Sequence, residues 1–478
     1  MNERSARRTK IVATLGPASD GLEREMVAAG LDVARLNFSH GTPEEHARRC
    51  TAIRMAATEA GRCVAVMQDL QGPKVRVGRL AGGGPVQLVA GQVLTIVARD
   101  VLGDASRLGC TYDGLARDVR AGSALLLDDG RLRLTVLSVT GDEVEARVEV
   151  GGPLGEHKGI NLPGATVSAP ALTDADRGNL ELGLKVLGVD YVALSFVRTA
   201  REIHDARALI RELGYQTPVV AKIEKEEAIQ NLDAIIAAAD GAMVARGDLA
   251  VELAPERVPP LQKRIVHFAN VRGIPVITAT QMLESMVHEE LPTRAEATDV
   301  ANAVWDGTDA VMLSEETASG RHPVKVVEMM DRIVREAEAA HLYSHAAWVP
   351  DSRAMREAAI TRAASDLAED LQVTAIICVT RSGHTVDLLS RARPPVPIYA
   401  FASDEAVCRR LALRWGVTAV PHPHIRGLEA NVAEMERYLL RRQVVQPKDT
   451  VLIVGAQPLE ARHHANFLQY HVVGSAAG

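Results

Sequence analysis

The feature that most constrains the fold is a series of short apolar segments, each of which ends in polar residues. Eight can be marked, at 11–16, 33–39, 64–70, 191–196, 219–224, 241–248, 275–281 and 310–316. Most are followed by a helical pattern, as at 226–239 and 257–272. This repetition predicts an α/β protein built on a (β/α)8 barrel, whose polar strand ends meet at one mouth. A doubly wound open sheet is the competing architecture, and it would place a ligand at a single switch point.

Two further regions interrupt or follow the barrel pattern. Residues 73–170 show short alternating strands with turn signals such as Gly82-Gly83-Gly84-Pro85 and Asp129-Gly130, which predict an inserted all-β lid domain. After about residue 343, alternating strands and helices predict a C-terminal parallel α/β domain. We therefore expect a barrel formed by 1–72 and 171–343, a lid formed by 73–170, a linker at 341–353 and a regulatory domain formed by 344–478.

Composition limits the classes of function. The chain has 478 residues and a net charge of −7, which argues against a nucleic-acid-binding protein. It lacks an uninterrupted apolar stretch of about 18 residues, the minimum for a membrane span, and its N-terminus lacks the apolar segment of a signal peptide. The five scattered cysteines show no C-x-x-C spacing and indicate neither a disulfide framework nor a zinc site. We expect a cytoplasmic protein.

Charged residues recur at the ends of three predicted strands. Lys222 and Glu224 end one strand, Arg246 and Asp248 end the next, and Arg35 lies near the end of a third. Alternate strand residues share a face, so each pair is expected to emerge together. Because buried charges are costly unless a ligand or metal compensates them, the pattern indicates a phosphate and metal site. Internal salt bridges at the rim of the sheet are the alternative explanation.

The residue types narrow the chemistry of this site. Glu224 and Asp248 offer two hard oxygen ligands, which suit Mg²⁺ bound jointly with a substrate. Lys222 adds a cation for a phosphate, and Arg246 either does the same or pairs with a carboxylate. Neither G-x-x-x-x-G-K-[ST] nor G-x-G-x-x-G occurs, so a nucleotide would need another mode of binding.

Several longer motifs carry a resemblance to a known family. They are RTKIVAT at 8–14, ARLNFSHG at 34–41, DLQGP at 69–73, KGINLPG at 158–164, KIE at 222–224, VARGDL at 244–249 and ATQMLESM at 279–286. In this order they closely resemble pyruvate kinase, from about residue 8 into the C-terminal domain. The resemblance implies phosphoryl transfer from phosphoenolpyruvate to ADP, which gives ATP and an enolate that is protonated to pyruvate. It also implies a homotetramer.

The resemblance implies roles for individual residues. Glu224 and Asp248 would bind Mg²⁺, with Mn²⁺ as an alternative ion, and the backbone at Gly247 and Asp248 would hold the substrate carboxylate. Lys222 and Arg35 would face the moving phosphoryl group. Thr280 would contact the substrate in the path that delivers a proton to the enolate. ADP would be held by a set of barrel and lid residues, namely Pro17, Asn37, His40, Arg76 and Lys158.

His40 also has a plain structural explanation. The sequence Thr42-Pro43-Glu44-Glu45 is a capping box with proline at the first helical position, so His40 would simply flank the start of a helix.

The chain departs from the family pattern after Asp69. Potassium-activated members usually carry Thr-Lys after this aspartate and a glutamate shortly beyond the Gly-Pro, whereas this chain reads DLQGPK at 69–74. Asn37, Ser39, Asp69 and Leu70 could still surround a monovalent ion, but Lys74 brings a tethered ammonium. A unit charge at about 4 Å is worth roughly 4 kcal/mol at an effective dielectric constant near 20. We therefore expect no requirement for K⁺; a solvated Lys74 on the lid is the alternative.

The C-terminal domain contains a candidate effector loop, TRSGHT at 380–385, between a predicted strand and helix. It resembles the effector-phosphate loop of the family, and the residues that this implies are Thr380, Arg381, Ser382, Gly383 and Thr385. The glycine-rich segment that often covers that loop is replaced by 458–463, which contains no glycine. The resemblance of the loop still implies a phosphorylated allosteric effector. Glu315 stands where the family motif has glycine, and the sequence does not explain it.

Two other functions fit part of the pattern. A carbon–carbon lyase that uses phosphoenolpyruvate or pyruvate with Mg²⁺ would share Glu224 and Asp248, but it would not need Arg76 and Lys158 on the lid. A catalytically silent metabolite sensor would be expected to lose a charged catalytic residue, and none is missing.

Overall fold

The chain opens with three strands that begin a barrel. These are β1 Lys10–Thr14, β2 Val33–Asn37 and β3 Ala65–Asp69. The computed structural model describes residues 7–165, 168–340, 355–422, 428–456 and 465–474. All three strands are buried along almost their whole length, as expected for a parallel sheet that helices cover.

An all-β unit follows β3. Its strands are β4 Val86–Leu88, β5 Val93–Val97, β6 Arg107–Gly109, β7 Ala124–Leu127, β8 Leu132–Thr140, β9 Glu143–Val150, β10 Gly152–Leu154 and β11 Ile160–Asn161. Six of them form a sheet in the order β11-β7-β8-β9-β5-β6, and β10 pairs with β4. The predicted turn at Asp129-Gly130 joins β7 to β8, with positive φ at Asp128 and Asp129. Before β4, Arg76 and Val77 form only isolated bridges, with Gly159 and Cys110 respectively.

Five further strands close the barrel. They are β12 Tyr191–Leu194, β13 Val219–Ile223, β14 Gly241–Ala245, β15 Val276–Ala279 and β16 Ala310–Leu313. The closed order is β1-β16-β15-β14-β13-β12-β3-β2, with parallel pairing throughout. Buried side chains such as Met67, Met243 and Ile277 fill the interior. The (β/α)8 barrel with an inserted all-β unit is therefore confirmed, and an open doubly wound sheet is excluded for this region.

Several barrel strands end earlier than the apolar pattern predicts. The segment predicted at 241–248 ends at Ala245, and Arg246, Gly247 and Asp248 instead form the first turn of a helix. The prediction that Arg246 and Asp248 share a strand face is therefore wrong. Similarly, β2 ends before Ser39, which lies in a turn. The alternation of apolar residues continues past the point at which the backbone turns, so it does not locate the strand end.

The C-terminal unit is an α/β sheet. Its strands are β17 Ala375–Thr380, β18 Ile398–Ala402, β19 Val417–Pro421, β20 Thr450–Gly455 and β21 Phe467–Val472, in the order β19-β18-β17-β20-β21. The first four are parallel, but β21 is antiparallel to β20 and is an exception to the predicted parallel arrangement. The predicted linker at 341–353 and the segment 458–463 lie outside the described residues.

Helices cover the barrel and the C-terminal sheet, and the short helix α3 Leu115–Asp118 belongs to the all-β unit. They are α1 Glu23–Ala29, α2 Pro43–Glu59, α3 Leu115–Asp118, α4 Asp174–Leu182, α5 Ala200–Glu212, α6 Glu226–Gln230, α7 Leu232–Ala238, α8 Arg246–Glu252, α9 Val258–Arg272, α10 Arg294–Trp305, α11 Glu315–Ala318, α12 Pro323–Ala339, α13 Met355–Asp370, α14 His384–Arg391, α15 Glu405–Leu411 and α16 Leu428–Arg441. Within the described ranges, no helix combines the length and the apolar character that crossing a bilayer requires.

The amino ends of the barrel strands pack against the C-terminal unit. Lys10, at the start of β1, donates to the Val417 carbonyl at 2.6 Å, and Tyr191, at the start of β12, donates to the Arg410 carbonyl at 2.6 Å. Arg393 forms a 2.7 Å ion pair with Asp309, just before β16. These contacts cover one end of the barrel and leave the carboxyl ends of its strands facing the all-β unit.

Candidate active site

Charged side chains from β2, β3 and β13 meet at the carboxyl end of the barrel, where β12 separates β3 from β13. Arg35 donates through Nε to Asp69 Oδ2 at 2.7 Å and through Nη1 to Thr14 Oγ1 at 2.9 Å. Lys222 Nζ lies 3.3 Å from Asp69 Oδ1 and 3.4 Å from Glu224 Oε2. A continuous row of alternating charges therefore crosses the barrel mouth. We call Arg35, Asp69, Lys222 and Glu224 the charge row.

Burial and mutual attraction set the ionisation of the row. Burial alone would lower the pKa of Lys222, but the neighbouring carboxylates of Asp69 and Glu224 reverse this, so the pKa is raised. Burial likewise opposes ionisation of Asp69, yet Lys222 and Arg35 hold its pKa below the ordinary value. Both groups are therefore charged at neutral pH, and two cations are fixed beside the mouth before any ligand arrives.

Glu224 behaves differently from Asp69. Burial raises its pKa to about 7, Lys222 opposes the shift, and the nearby carboxylate of Asp248 adds to it. The backbone N–H of Phe196 donates to Glu224 Oε1 at 2.5 Å. Two carboxylates that repel each other at a buried site would gain from a cation placed between them.

The pair Glu224 and Asp248 fits a hard divalent cation. Asp248 is half-buried, and its carboxylate has neither a hydrogen-bond nor an ion-pair partner in the part of the chain that the structure describes. In the same part of the chain, no group of three or more His, Cys, Asp or Glu side chains is arranged to hold a metal. The two carboxylates therefore suit an ion such as Mg²⁺, which retains water and takes further oxygen ligands from a substrate.

Arg246 does not enter this site. Its guanidinium lies 2.6 Å from Asp299 Oδ2 and donates to the carbonyl of Thr280 at 2.8 Å. Of the two roles that the sequence left open for Arg246, the structure shows the carboxylate pair. The salt-bridge explanation therefore holds for Arg246, which ties the start of α8 to α10 and to the end of β15.

Thr280 and Gly247 are brought into direct contact. The N–H of Gly247, in the first turn of α8, donates to Thr280 Oγ1 at 2.7 Å, and this hydroxyl donates to the Ala279 carbonyl at 2.6 Å. Thr280 has a φ of 67°, which is uncommon for a residue with a side chain. The strained backbone turns the threonine hydroxyl toward α8 rather than continuing β15.

Cations of the all-β unit and of the barrel surround His40. Burial lowers the pKa of His40, Arg76, Lys74 and Arg35 lower it further, and Glu315 opposes them. His40 therefore lies within electrostatic range of all four groups. This places the otherwise unexplained carboxylate of Glu315 at the same mouth.

The helix that follows His40 begins as the sequence predicts. Thr42 Oγ1 accepts from the N–H of Glu45, and Glu45 Oε2 accepts from the N–H of Thr42, so the capping box is confirmed. The ring of His46 contacts the His40 carbonyl at 2.9 Å. His40 thus flanks a helix start, and its side chain also lies among the cations.

The remaining lid residues are held by local contacts. Arg76 Nη1 donates to the His157 carbonyl at 2.9 Å, and Lys158 Nζ lies 2.8 Å from Asp128 Oδ1. Lys74 is half-buried, and its Cε lies 3.9 Å from the position that a Cβ on Gly159 would take. It is therefore not a fully solvated lid residue.

The residues proposed to surround a monovalent ion are partly engaged. Asn37 Oδ1 accepts from the Ser39 N–H at 3.1 Å, and the Leu70 carbonyl accepts from Ser195 Oγ at 2.7 Å. Both oxygens of Asp69 already contact cations of the charge row. Pro17 starts a short 3-10 turn after β1, the strand that pairs with β2.

The candidate effector loop lies between β17 and α14. Gly383 adopts a φ of 88° at the start of α14, and its N–H donates to Thr380 Oγ1 at 2.9 Å. Ser382 Oγ accepts from the His384 N–H at 3.4 Å. Arg381 and Thr385 flank these residues in the same loop and first helical turn.

Sequence reasoning missed two neutral residues, Ser195 and Phe196. Ser195 Oγ contacts Lys222 Nζ at 2.6 Å, and the Phe196 N–H holds Glu224. They lie at the end of the fourth apolar segment, where the pattern marks a strand terminus but gives no sign of these contacts. Attention to every residue after a strand end, rather than only to charged ones, would have found them.

Comparison with known proteins agrees with this architecture. The family model described as "Pyruvate kinase, barrel domain" matches residues 6–327, and the model described as "Pyruvate kinase, alpha/beta domain" matches residues 358–471. The chain belongs to the pyruvate kinase family. Membership establishes an enzyme that transfers the phosphoryl group of phosphoenolpyruvate to ADP, and it gives no support to the lyase alternative.

Individual pyruvate kinases are similar over nearly the whole chain. The enzyme of Corynebacterium efficiens is 43% identical over 471 residues, with 98% of both chains covered. That of Mycobacterium tuberculosis is 43% identical over 474 residues and covers 98% of this chain and 99% of its own. A solved pyruvate kinase structure from Cryptosporidium parvum superimposes with a TM-score of 0.89 at 34% identity, with 99% of this chain and 97% of that one covered.

The raised pKa of Glu224 yields a prediction for the metal-free protein. Its value of about 7 exceeds the roughly 4.3 of an exposed glutamate, so folding favours the protonated form. This contribution to stability is fully present below about pH 4.3, falls as the pH rises from there, and is gone above about pH 7. The melting temperature of Glu224→Gln should therefore exceed that of the parent by more at pH 8 than at pH 5, by a few degrees, as measured by calorimetry with a chelator.

A matched control is Glu289→Gln, on an exposed residue, which should follow the parent at both pH values. Parallel melting of the parent and Glu224→Gln at pH 5 and pH 8 would contradict the raised pKa.

Proposed function

We propose that this enzyme is Mg²⁺-dependent and that Glu224 and Asp248 hold the ion. The observation that carries the proposal is the charge row, which ends in the Glu224 carboxylate within electrostatic range of Asp248, whose carboxylate makes no hydrogen bond or ion pair to the described residues. When bound, the ion supplies positive charge to the carboxylate and phosphate oxygens of phosphoenolpyruvate. Mn²⁺ would satisfy the same hard oxygen ligands.

The charge row has the properties that phosphoryl transfer requires. A loose transition state spreads negative charge over the phosphoryl oxygens and needs positioned cations more than a nucleophilic side chain. Lys222 and Arg35 are buried, paired with Asp69 and fixed at the mouth. Because they are already oriented, they stabilise the moving charge without reorganisation during the reaction. We assign both to the phosphoryl group.

The substrate carboxylate and the enolate would lie beside α8. The backbone at Gly247 and Asp248 would hold the carboxylate, and Thr280, which already accepts the Gly247 N–H, would lie in the proton path. This assignment places the hydroxyl against the substrate in the step that converts the enolate to pyruvate.

ADP would bind between the barrel and the all-β unit. Arg76, Lys158 and His40 would hold the phosphates, with Asn37 alongside and Pro17 near the adenosine. The pKa of His40, lowered by burial and by the nearby cations, favours a neutral ring in the free enzyme. The same cations are suited to the negative charges of a polyphosphate.

The homotetramer and the cytoplasmic location stay predictions, as do the domain bounds 1–72 with 171–343, 73–170 and 344–478.

Lys222→Ala tests the core of the mechanism. The variant should lower kcat for pyruvate formation from phosphoenolpyruvate and ADP by about 10²- to 10³-fold, because it removes a preorganised cation. Lys263→Ala is the control, since Lys263 pairs with Asp306 outside the charge row. The parent should require Mg²⁺, with activity lost in a chelator. Retention of more than a tenth of parental kcat would remove Lys222 from its proposed role.

We further propose that Lys74 replaces a bound potassium ion. Lys74 lies within electrostatic range of His40 at the mouth, and Asp69 already contacts two cations. The parent should be active with Mg²⁺ in a tetramethylammonium buffer, and added K⁺ should change its rate less than twofold. Lys74→Ala should be slow there and recover with K⁺, whereas Arg79→Ala, on an exposed lid cation, should behave like the parent. Strong K⁺ activation of the parent would refute this proposal.

A phosphorylated effector is proposed at Thr380, Arg381, Ser382, Gly383 and Thr385. The support is the turn geometry at Gly383 at the start of α14. A sugar phosphate or nucleoside monophosphate should shift the phosphoenolpyruvate saturation curve of the parent but not that of Arg381→Ala. An unchanged parental curve with both classes of compound would remove the effector proposal.

A further inference from the structure

A buried lysine next to Glu224 makes contacts that the proposed reaction does not use. Lys225 Nζ forms an ion pair with Glu252 Oε1, and the two side chains are only 9% and 3% exposed. The same ammonium lies 5.2 Å from the centre of the Phe196 ring. Residues from three separate segments therefore meet at one buried cation.

Phe196 links this cation to Glu224. Its φ of 58° lies in the left-handed region, which a residue with a side chain adopts only when its surroundings hold it there. In that conformation its N–H donates to Glu224 Oε1 at 2.5 Å. The ring is confined on another side by Gly72, where a Cβ would come within 2.7 Å of the ring. Lys225 and Gly72 therefore confine the Phe196 ring. With the ring confined, the Phe196 backbone stays in the conformation in which its N–H points at Glu224.

Glu252 links the same cation to Asp248. Both residues lie on α8, four positions apart, and residues with this spacing lie on the same helix face. The ion pair with Lys225 therefore draws the face that carries Asp248 toward the end of β13, where Glu224 lies. The ammonium of Lys225 is thus connected to both carboxylates. The backbone of Phe196 connects it to Glu224, and α8 connects it to Asp248.

The all-β unit also contacts this arrangement. Burial raises the pKa of Glu252, and the nearby side chains of Lys225 and of Asn161, which lies on β11, oppose this shift. At the turn between β7 and β8, a Cβ on Gly130 would lie 4.0 Å from Val251, also on α8. Two parts of the lid, β11 and the turn between β7 and β8, therefore lie close to the helix that carries Asp248.

We propose that Lys225 is a positioning residue that fixes Glu224 and Asp248 at the separation a divalent cation needs, and that Asn161 joins this arrangement to the lid. This inference rests on the proposed metal site. Lys225 itself contacts neither substrate nor metal. Residues that orient metal ligands typically change metal affinity by about 10- to 100-fold when they are substituted.

The test measures Mn²⁺ binding to the full-length protein without substrates, from the electron paramagnetic resonance of the free ion. Lys225→Met should weaken binding by at least about tenfold. Lys263→Met, which removes another lysine from an ion pair, should stay within twofold of the parent. Lys225→Met with Glu252→Gln leaves no unpaired buried charge, so it keeps the test valid if the single variant fails to fold, and it should show the same weakening.

The outcomes distinguish this inference from the proposed function. Loss of Mn²⁺ binding in Glu224→Gln together with unchanged binding in the Lys225 variants would overturn the inference alone. Unchanged binding in Glu224→Gln would overturn the metal assignment and this inference with it. A purely structural role for Lys225 would lower the melting temperature but leave the Mn²⁺ affinity of the folded protein unchanged, which also counts against the proposal.

In steady state, the Mg²⁺ concentration for half-maximal rate should rise in Lys225→Met more than kcat falls, because the reacting groups of the charge row are intact. An equal fall in kcat at saturating Mg²⁺ and no change in the Mg²⁺ requirement would contradict a positioning role.

Discussion

The rest of the site depends on the contacts that the buried carboxylate of Asp69 makes with two cations. Arg35 and Lys222 are both buried at the barrel mouth, where an uncompensated charge would cost several kcal/mol. Asp69 contacts both cations at 2.7 and 3.3 Å and lets them remain charged in the folded protein. It can do so because β3 lies between the strands that carry the two cations, with β2 on one side and β12 and β13 on the other. The positive charge at the mouth is thus a property of the barrel itself.

The two ends of the barrel are used differently. At the amino ends of the strands, contacts such as Arg393 with Asp309 and Lys10 with the Val417 carbonyl join the barrel to the C-terminal unit. At the carboxyl ends, polar groups face the all-β unit, of which β11 and the turn between β7 and β8 lie close to α8. The barrel and the all-β unit have separate hydrophobic cores, and the charge row belongs to the barrel.

Sequence patterns predicted the barrel because each buried strand is an apolar run, and they predicted the meeting of Lys222 with Glu224 because alternate strand residues share a face. They failed where tertiary contacts decide the outcome. Arg246 was grouped with Asp248 by spacing, but its guanidinium is captured by Asp299, which is distant in sequence. Phe196 gave no signal because its contribution is a backbone N–H held by an unusual φ, which side-chain chemistry does not encode. The remaining site residues were predicted from the family motifs, and their roles stay proposals.

The central claim is that Glu224 and Asp248 share a divalent ion beside the two cations that Asp69 holds. Anomalous diffraction from crystals soaked in Mn²⁺ with a substrate analogue tests it most directly. The account predicts a single strong peak within coordination distance of both carboxylates, on the lid side of Lys222. A peak elsewhere, or one that contacts neither carboxylate, would contradict it.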